Sequence, residues 1–240
     1  GSDIQIVDFI VYGDDSTYEN VDKLVSDERV RNADIIFGVG GGRAVDTCKV
    51  VADKLDKPLF TFPTLGSNCA AVTAICVMYN EDHTFKDYYY LDKPADHTFI
   101  DTQIIAESPE DLFWAGIGDA LSKECEAVYS SQGVNLDHTP LMGVGISKVC
   151  TEPLIKYGKK ALEDCKNNTE SEELKQVVLD IIISTGLVSN LTTTENDYYY
   201  NSSLAHAFYN GSTLVEGARG LHGEVVSFGS YLCWRNTKKK

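Results

Sequence analysis

The chain has 240 residues, 43% of them hydrophobic and 24% charged, which is enough for one large domain or two modest ones around a substantial core. A formal net charge of −15 repels phosphate backbones and excludes nucleic acid as an expected partner. No stretch reads as apolar for long enough to span a bilayer, and no basic, apolar, then small-residue leader opens the chain, so neither a membrane nor export is expected.

In chain order, residues 4–11 form an apolar run that predicts a strand. Thr17 is placed to cap a helix whose Val21, Leu24 and Val25 share one face. Residues 33–37 predict a strand. Residues 43–55 predict a helix, with Val45, Cys48, Val51, Ala52 and Leu55 at helical spacing. A second buried strand is expected over 58–62, ending at Pro63, and further strands over 72–79, 88–91 and 98–100. Near Pro109 the pattern changes. Helices are expected over 109–130, 139–165, 171–191, 202–209 and 222–232, with a polar hinge at 167–172. The expected fold class is therefore α/β plus all-α: a mainly parallel-sheet domain over 1–105, then a helical domain over 106–240. Residues 197–201 read as an aromatic loop or helix start packed on the core, and Lys238, Lys239 and Lys240 as a solvated end. The seven cysteines are odd in number and lack a CxxC pair, which fits reduced thiols and a cytoplasmic location.

Gly38-Val39-Gly40-Gly41-Gly42 follows an apolar strand and runs straight into a helix. A helix start offers unpaired N–H groups and partial positive charge, and glycine lets a pyrophosphate approach the backbone. A tight turn with no ligand is the other reading, since Arg43 stands where the usual fingerprint has its last glycine. A second polar loop, Pro63-Thr64-Leu65-Gly66-Ser67-Asn68, follows the next strand, where ligands sit in open α/β sheets. Thr64 and Ser67 serve equally as turn or cap residues.

Of five histidines, His83, His97 and His138 stand in polar, loop-like segments and are expected at the surface. His206 lies among small and apolar residues on a predicted helix, and His222 at a predicted helix start. Asp119 lies in Gly116-Ile117-Gly118-Asp119-Ala120-Leu121, where a charge is costly unless paired or metal-bound; it could also cap a break made by the two glycines. One aspartate and two neutral histidines leave an open position on a divalent metal, as catalytic zinc requires.

Taken in order, GVGGGRAVDTCK, FPTLGSNCAAVTAICVMY, DTQIIAESP, AGIGDALSKECEA, LAHAFYNG and LHGEVVSFG resemble the iron-containing alcohol dehydrogenase superfamily, in its glycerol dehydrogenase-like branch. The resemblance implies a dinucleotide-binding domain followed by a helical metal-binding domain. It also implies metal-dependent hydride transfer between NAD(P) and a small polyol or hydroxy compound. Asp119, His206 and His222 match the metal-ligand and catalytic positions; Gly41, Gly42 and Arg43 match the pyrophosphate contacts. Thr64, Ser67, Thr73, Ile75 and Tyr79 match the rest of the cofactor track. Iron-type members carry a histidine where this chain has Lys123, so the resemblance favours zinc over iron. Glycerol dehydrogenases carry a substrate-contacting aspartate where this chain has Cys69. The alternatives are a hydroxycarboxylate or 2-oxo acid dehydrogenase of the same superfamily, or an inactive nucleotide-binding relative. A dehydroquinate synthase-like lyase is disfavoured by the scarcity of Lys and Arg near the motifs. Family members have a further strand–helix–strand before position 1 and more helices after position 240. Both domains are therefore expected to be incomplete, and NAD and NADP stay undistinguished because the ribose-reading segment lies in the front part. A homo-oligomer is implied by the same resemblance.

Overall fold

The computed structural model describes residues 4–217 and 220–237; the lysine run at 238–240 lies outside them. The first regular element is α1 (Tyr18–Ser26), where the Thr17 hydroxyl oxygen accepts the Asn20 N–H at 3.1 Å. Then α2 (Glu28–Asn32) starts on the Asp27 carboxylate, which accepts the Arg29 N–H. Next come β1 (Ile36–Gly40), α3 (Gly42–Lys54) and β2 (Leu59–Pro63). A 3₁₀ turn (Ala70–Val72) leads to β3 (Ile75–Tyr79), β4 (Phe85–Tyr90) and β5 (His97–Thr98).

Strands β1, β2 and β5 form a parallel sheet in that order. The register runs from Ile36 opposite Leu59 to Gly40 opposite Pro63. Both strands therefore end at one level, and the two loops that follow lie side by side. The Thr64 N–H donates to the Gly40 carbonyl at 3.1 Å. The predicted strands near 72–79 and 88–91 instead make a separate antiparallel pair, β3 with β4. Their inner faces join α1 and α3 in a small core of Val21, Val50, Val51, Cys76 and Met78.

The strand expected over 4–11 is not formed. An apolar run becomes a strand only when a neighbour takes its N–H and C=O groups. No ladder among the described residues reaches this segment, and Ile6, Val7, Phe9 and Val11 are exposed.

The remainder is helical: α4 (Thr102–Ala106), α5 (Glu110–Ala120), α6 (Ser122–Ser130), α7 (His138–Ser147), α8 (Thr151–Lys166), α9 (Glu172–Leu179), a π turn (Asp180–Ser184), α10 (Thr185–Thr192), α11 (Leu204–Ser212) and α12 (His222–Thr237). Two predicted helices are broken. At Leu121 one N–H is shared between the Ile117 and Asp119 carbonyls. Near Cys150 the chain tightens into bonds of three-residue span, Val149 to Ile146 and Cys150 to Ser147. The run 172–192 continues through its π turn. Its length and hydropathy of 1.3 are enough to cross a membrane, which corrects the expectation that no such stretch exists. However, 56% of its apolar window is buried inside the fold, as in a core helix.

That helix packs in a cluster that includes Val45 of α3, Ala71 of the 3₁₀ turn, Ile105, Phe113, Leu174, Ile181 and Ile182. Sheet and helices thus share apolar contacts across residues 101–108. Asn190 adds a polar clasp, accepting the Ala74 N–H and donating to the Val72 carbonyl, both at 2.9 Å.

Helix α5 meets the loop after β2 at Gly116, where a Cβ would stand 1.9 Å from the Gly66 carbonyl oxygen. Gly116→Ala should destabilise the chain by about 1–3 kcal/mol, because backbone must move. Gly145, in α7, has nothing within 4 Å, so Gly145→Ala should stabilise by roughly 0.5–1 kcal/mol. Denaturant unfolding of the two variants checks both signs.

Candidate metal centre

Asp119 sits in the last turn of α5, where the helix end is itself partly negative. A carboxylate there needs a cationic partner. The partners come from α11 and α12, and α12 reaches α5 because glycines line their crossing. A Cβ on Gly223 would lie 1.7 Å from the Ala115 carbonyl oxygen, and one on Gly118 would lie 2.6 Å from that of Gly223. His222, the first residue of α12, thereby meets Asp119: Nε2 is 3.2 Å from Oδ1. His206 of α11 brings its Nε2 to 3.4 Å from the same oxygen. One ligand atom from each residue lies within 4.8 Å of the others. The side chains are 13%, 17% and 33% exposed for Asp119, His206 and His222, so the cluster is sheltered but open on the His222 side. Tyr209, on α11, packs edge-on against the His222 ring with centroids 4.3 Å apart.

The far side of His206 is held by a residue that the sequence reading did not single out. Glu126 of α6 is fully buried. Its Oε2 lies 2.5 Å from His206 Nδ1, and its Oε1 accepts the N–H groups of Ser203 at 2.7 Å and His206 at 3.0 Å. The only trace in sequence is its position seven residues after Asp119, two helical turns on. Lys123, where iron-type members carry a histidine, is also buried, but its ammonium donates to Asn201 Oδ1 at 2.8 Å. An ammonium has no lone pair to offer a metal.

The protonation pattern follows from this packing. Burial pushes the Asp119 carboxyl up, but the charges and hydrogen bonds of His222 and His206 outweigh it and hold it well below the usual carboxylate range. Burial likewise opposes charge on Glu126, yet His206 holds its carboxyl down at about 2. Burial pushes His206 toward neutrality, and the two carboxylates reverse that, raising it well above the ordinary imidazole value. Two imidazole nitrogens and one carboxylate oxygen converge here, with one ring oriented from behind by a second carboxylate. That donor set fits zinc in a site with an open position.

The other singled-out residues lie along the two loops. Gly41 caps α3 and Gly42 begins it; a Cβ on Gly41 would meet Leu65, and one on Gly42 would meet Asn68. The glycines therefore let the loops pack on each other. Arg43 is half-exposed, 3.2 Å from the buried Asp15 carboxylate and over the Tyr79 ring at 5.3 Å. Asp15 also pairs with His83 at 2.7 Å, so that exposed histidine is not free. His97 and His138 are exposed. Thr64 and Ser67 are half-buried, as are Cys69 and Ile75. Cys69 precedes the 3₁₀ turn and lies near Gly186 of α10. Thr73 is buried, and its hydroxyl is occupied by Lys49, which also donates to the carbonyls of Ala70, Thr73 and Ile75. Burial, followed by Tyr209, raises the Tyr79 phenol strongly.

Because His206 is protonated in the metal-free chain near neutral pH, a metal must displace that proton. Zinc affinity should rise about tenfold per pH unit until pH passes the raised His206 value. Calorimetry in buffers of different ionisation enthalpy should show about one proton released per zinc.

The chain was compared with known proteins. A family model described as iron-containing alcohol dehydrogenase matches residues 1–102. The chain is 33% identical over 220 residues to a glycerol dehydrogenase of Thermotoga maritima, covering 90% of this chain and 57% of that protein. It is 32% identical over 197 residues to hydroxycarboxylate dehydrogenase A of Escherichia coli, covering 81% and 53%. The crystal structure of glycerol dehydrogenase from Schizosaccharomyces pombe superposes with a TM-score of 0.80 at 29% identity, over 95% of this chain and 57% of that one. The chain thus spans between half and three fifths of the length of these relatives. The family model falls on the sheet, the relatives extend through the helices, and the fold agrees with both: the chain belongs to the iron-containing alcohol dehydrogenase family.

Proposed function

We propose that this chain carries the active core of a metal-dependent oxidoreductase that moves hydride between NAD(P) and a small polyol or hydroxy compound. The observation that carries the reading is the convergence of Asp119 Oδ1 with the Nε2 atoms of His206 and His222 in a sheltered, partly open cluster. Asp119, His206 and His222 would hold a divalent metal, zinc in preference to iron, which would act as a Lewis acid on a substrate hydroxyl, with NAD(P) as the hydride carrier. Asp119 contributes a single negative charge and the imidazoles none. The metal and its three ligands would therefore keep a net positive charge, with the Glu126 carboxylate standing behind His206 and away from the open position, which favours loss of the hydroxyl proton. The start of α3 at Gly41 and Gly42 offers N–H groups and the positive end of a helix dipole to a pyrophosphate, with the Arg43 guanidinium beside it. The Tyr79 ring under Arg43 and the Tyr209 ring on His222 run from that loop toward the metal cluster.

A second reading, oxidation of a hydroxy acid or reduction of a 2-oxo acid, is favoured by Cys69. A thiol cannot accept two hydroxyl hydrogen bonds as the aspartate at the matching position of glycerol dehydrogenases does. The likeness to a hydroxycarboxylate dehydrogenase supports the same reading. The chain's acidity and reduced thiols support a cytoplasmic protein, and its family supports a homo-oligomer.

The metal-depleted chain should be titrated with zinc while NAD(P)H absorbance is followed against glycerol, diols, hydroxy acids and 2-oxo acids. Zinc-dependent turnover is expected, and the preferred substrate separates the two readings. His206→Ala should abolish turnover while leaving NAD(P) binding largely intact. Full activity in that variant would remove the metal centre from the mechanism. Cofactor binding without turnover, in a wild-type chain that takes up zinc, would identify an inactive relative.

A further inference from the structure

We infer that Glu126 is a positioning residue of the metal centre, holding His206 with its proton on Nδ1 and its bare Nε2 toward the metal. The inference rests on the metal reading given above. Two roles meet in this one carboxylate, and only one of them is explained by folding.

The first role is a helix cap. Ser203 stands at the cap position of α11, but its own side chain makes no capping bond. Glu126 Oε1 substitutes for it from α6, accepting the N–H groups of Ser203 and His206. A cap needs only one acceptor oxygen. The second oxygen, Oε2, is aimed at His206 Nδ1. Among the described residues, His206 is the only ion-pair partner that this fully buried carboxylate has.

A carboxylate only accepts hydrogen bonds, so the ring nitrogen facing it must carry the proton. In a neutral imidazole the lone pair is then on Nε2, the atom beside Asp119 Oδ1. The helix start and the ring orientation are set by the same group. The ring therefore cannot turn without breaking the bond at Nδ1, and α11 cannot shift without breaking the cap. When a metal at Asp119 displaces the Nε2 proton, the bond at Nδ1 keeps the ring in the tautomer that leaves the lone pair on Nε2, made more basic by the carboxylate behind it.

Glu126→Gln separates the roles. Its amide has one acceptor and one donor group. If the amide oxygen keeps the two backbone N–H groups, the NH₂ faces Nδ1 and demands a lone pair there. That forces the proton onto Nε2, on the metal side. The cap survives and the ligand is lost. We expect an unchanged circular dichroism spectrum and a zinc affinity about 10–100-fold weaker by calorimetry. In ¹⁵N-histidine spectra of the zinc-loaded wild type, His206 should carry its proton on Nδ1 and zinc on Nε2; in the variant that Nδ1–H signal should be lost. A folded Glu126→Gln chain that binds zinc within about twofold of wild type overturns the inference and leaves the metal reading standing. A wild-type chain that takes up no zinc overturns the metal reading and the inference with it. If the variant does not fold, the wild-type spectrum decides alone: zinc on His206 Nδ1 overturns the inference, and zinc on Nε2 with a protonated Nδ1 supports it.

Discussion

The backbone contact between α5 and α12 governs the candidate site. Ala115, Gly118 and Gly223 bring the two helices so close that no side chain fits between them. That contact sets the height of His222 against Asp119, since His222 is the residue before Gly223 and Asp119 the residue after Gly118. The same helix α5 touches the loop after β2 from its other side, through Gly116 on Gly66, two residues before Gly118. One helix, with a glycine at each of two opposite contacts, therefore fixes the metal cluster relative to the loops that follow the parallel sheet. Larger residues at Gly116, Gly118 or Gly223 would move the cluster by forcing backbone apart, although these glycines contribute no metal ligand.

Around that contact the charges alternate. Asp119, His206 and Glu126 form an acid–imidazole–acid row, with His222 on the open side. Two carboxylates this sheltered would be costly if His206 were neutral and no cation stood near. Without metal, the His206 proton supplies the balancing charge, which is why the imidazole is raised while both acids are held down. With a divalent metal that charge is replaced and the proton becomes superfluous. The row is thus arranged for exchange of a proton against a cation at one oxygen, Asp119 Oδ1. The buried Lys123 ammonium donates to Asn201 Oδ1 and, among the described residues, forms no ion pair with Asp119 or Glu126.

Much of this was legible in the sequence, for local reasons. Thr17 capped its helix because a β-branched hydroxyl preceded a periodic run, and α3 appeared because its apolar spacing is helical from Val45 to Leu55. Asp119, His206 and His222 stood out because charge or imidazole in an apolar, helical setting is unusual, and the structure brings all three together. What stayed hidden depended on partners. The apolar run at 4–11 has strand composition, but composition does not supply a neighbouring edge. The break at Leu121 falls just after Gly116, Gly118 and Asp119, which read only as a possible break, and no proline fixes where it lies. Glu126 reads as an ordinary helical glutamate, and its partner His206 lies 80 residues away. Thr73, which the family pattern places along the cofactor, has its hydroxyl bound to Lys49, a contact that spacing could not reveal.

The two layers of the chain also depend on each other for the site. The loop after β1 ends a sheet that supplies no metal ligand, and the helices that supply the ligands have no glycine-rich strand end. They meet through Gly116 on Gly66, through Asn190 clasping the entry to β3, and through a common apolar cluster. Tyr79 belongs to β3 and carries Arg43 on its face; Tyr209 belongs to α11 and carries His222 on its edge. Tyr209 adds to the burial that raises the Tyr79 phenol, so the two rings stand close enough to join the sheet side to the metal side. A hydride donor and a hydroxyl must approach within van der Waals distance in a fixed orientation. Rigid packing between the layers, rather than any single ligand, is what lets a cofactor held at α3 and a substrate held at Asp119 meet that requirement.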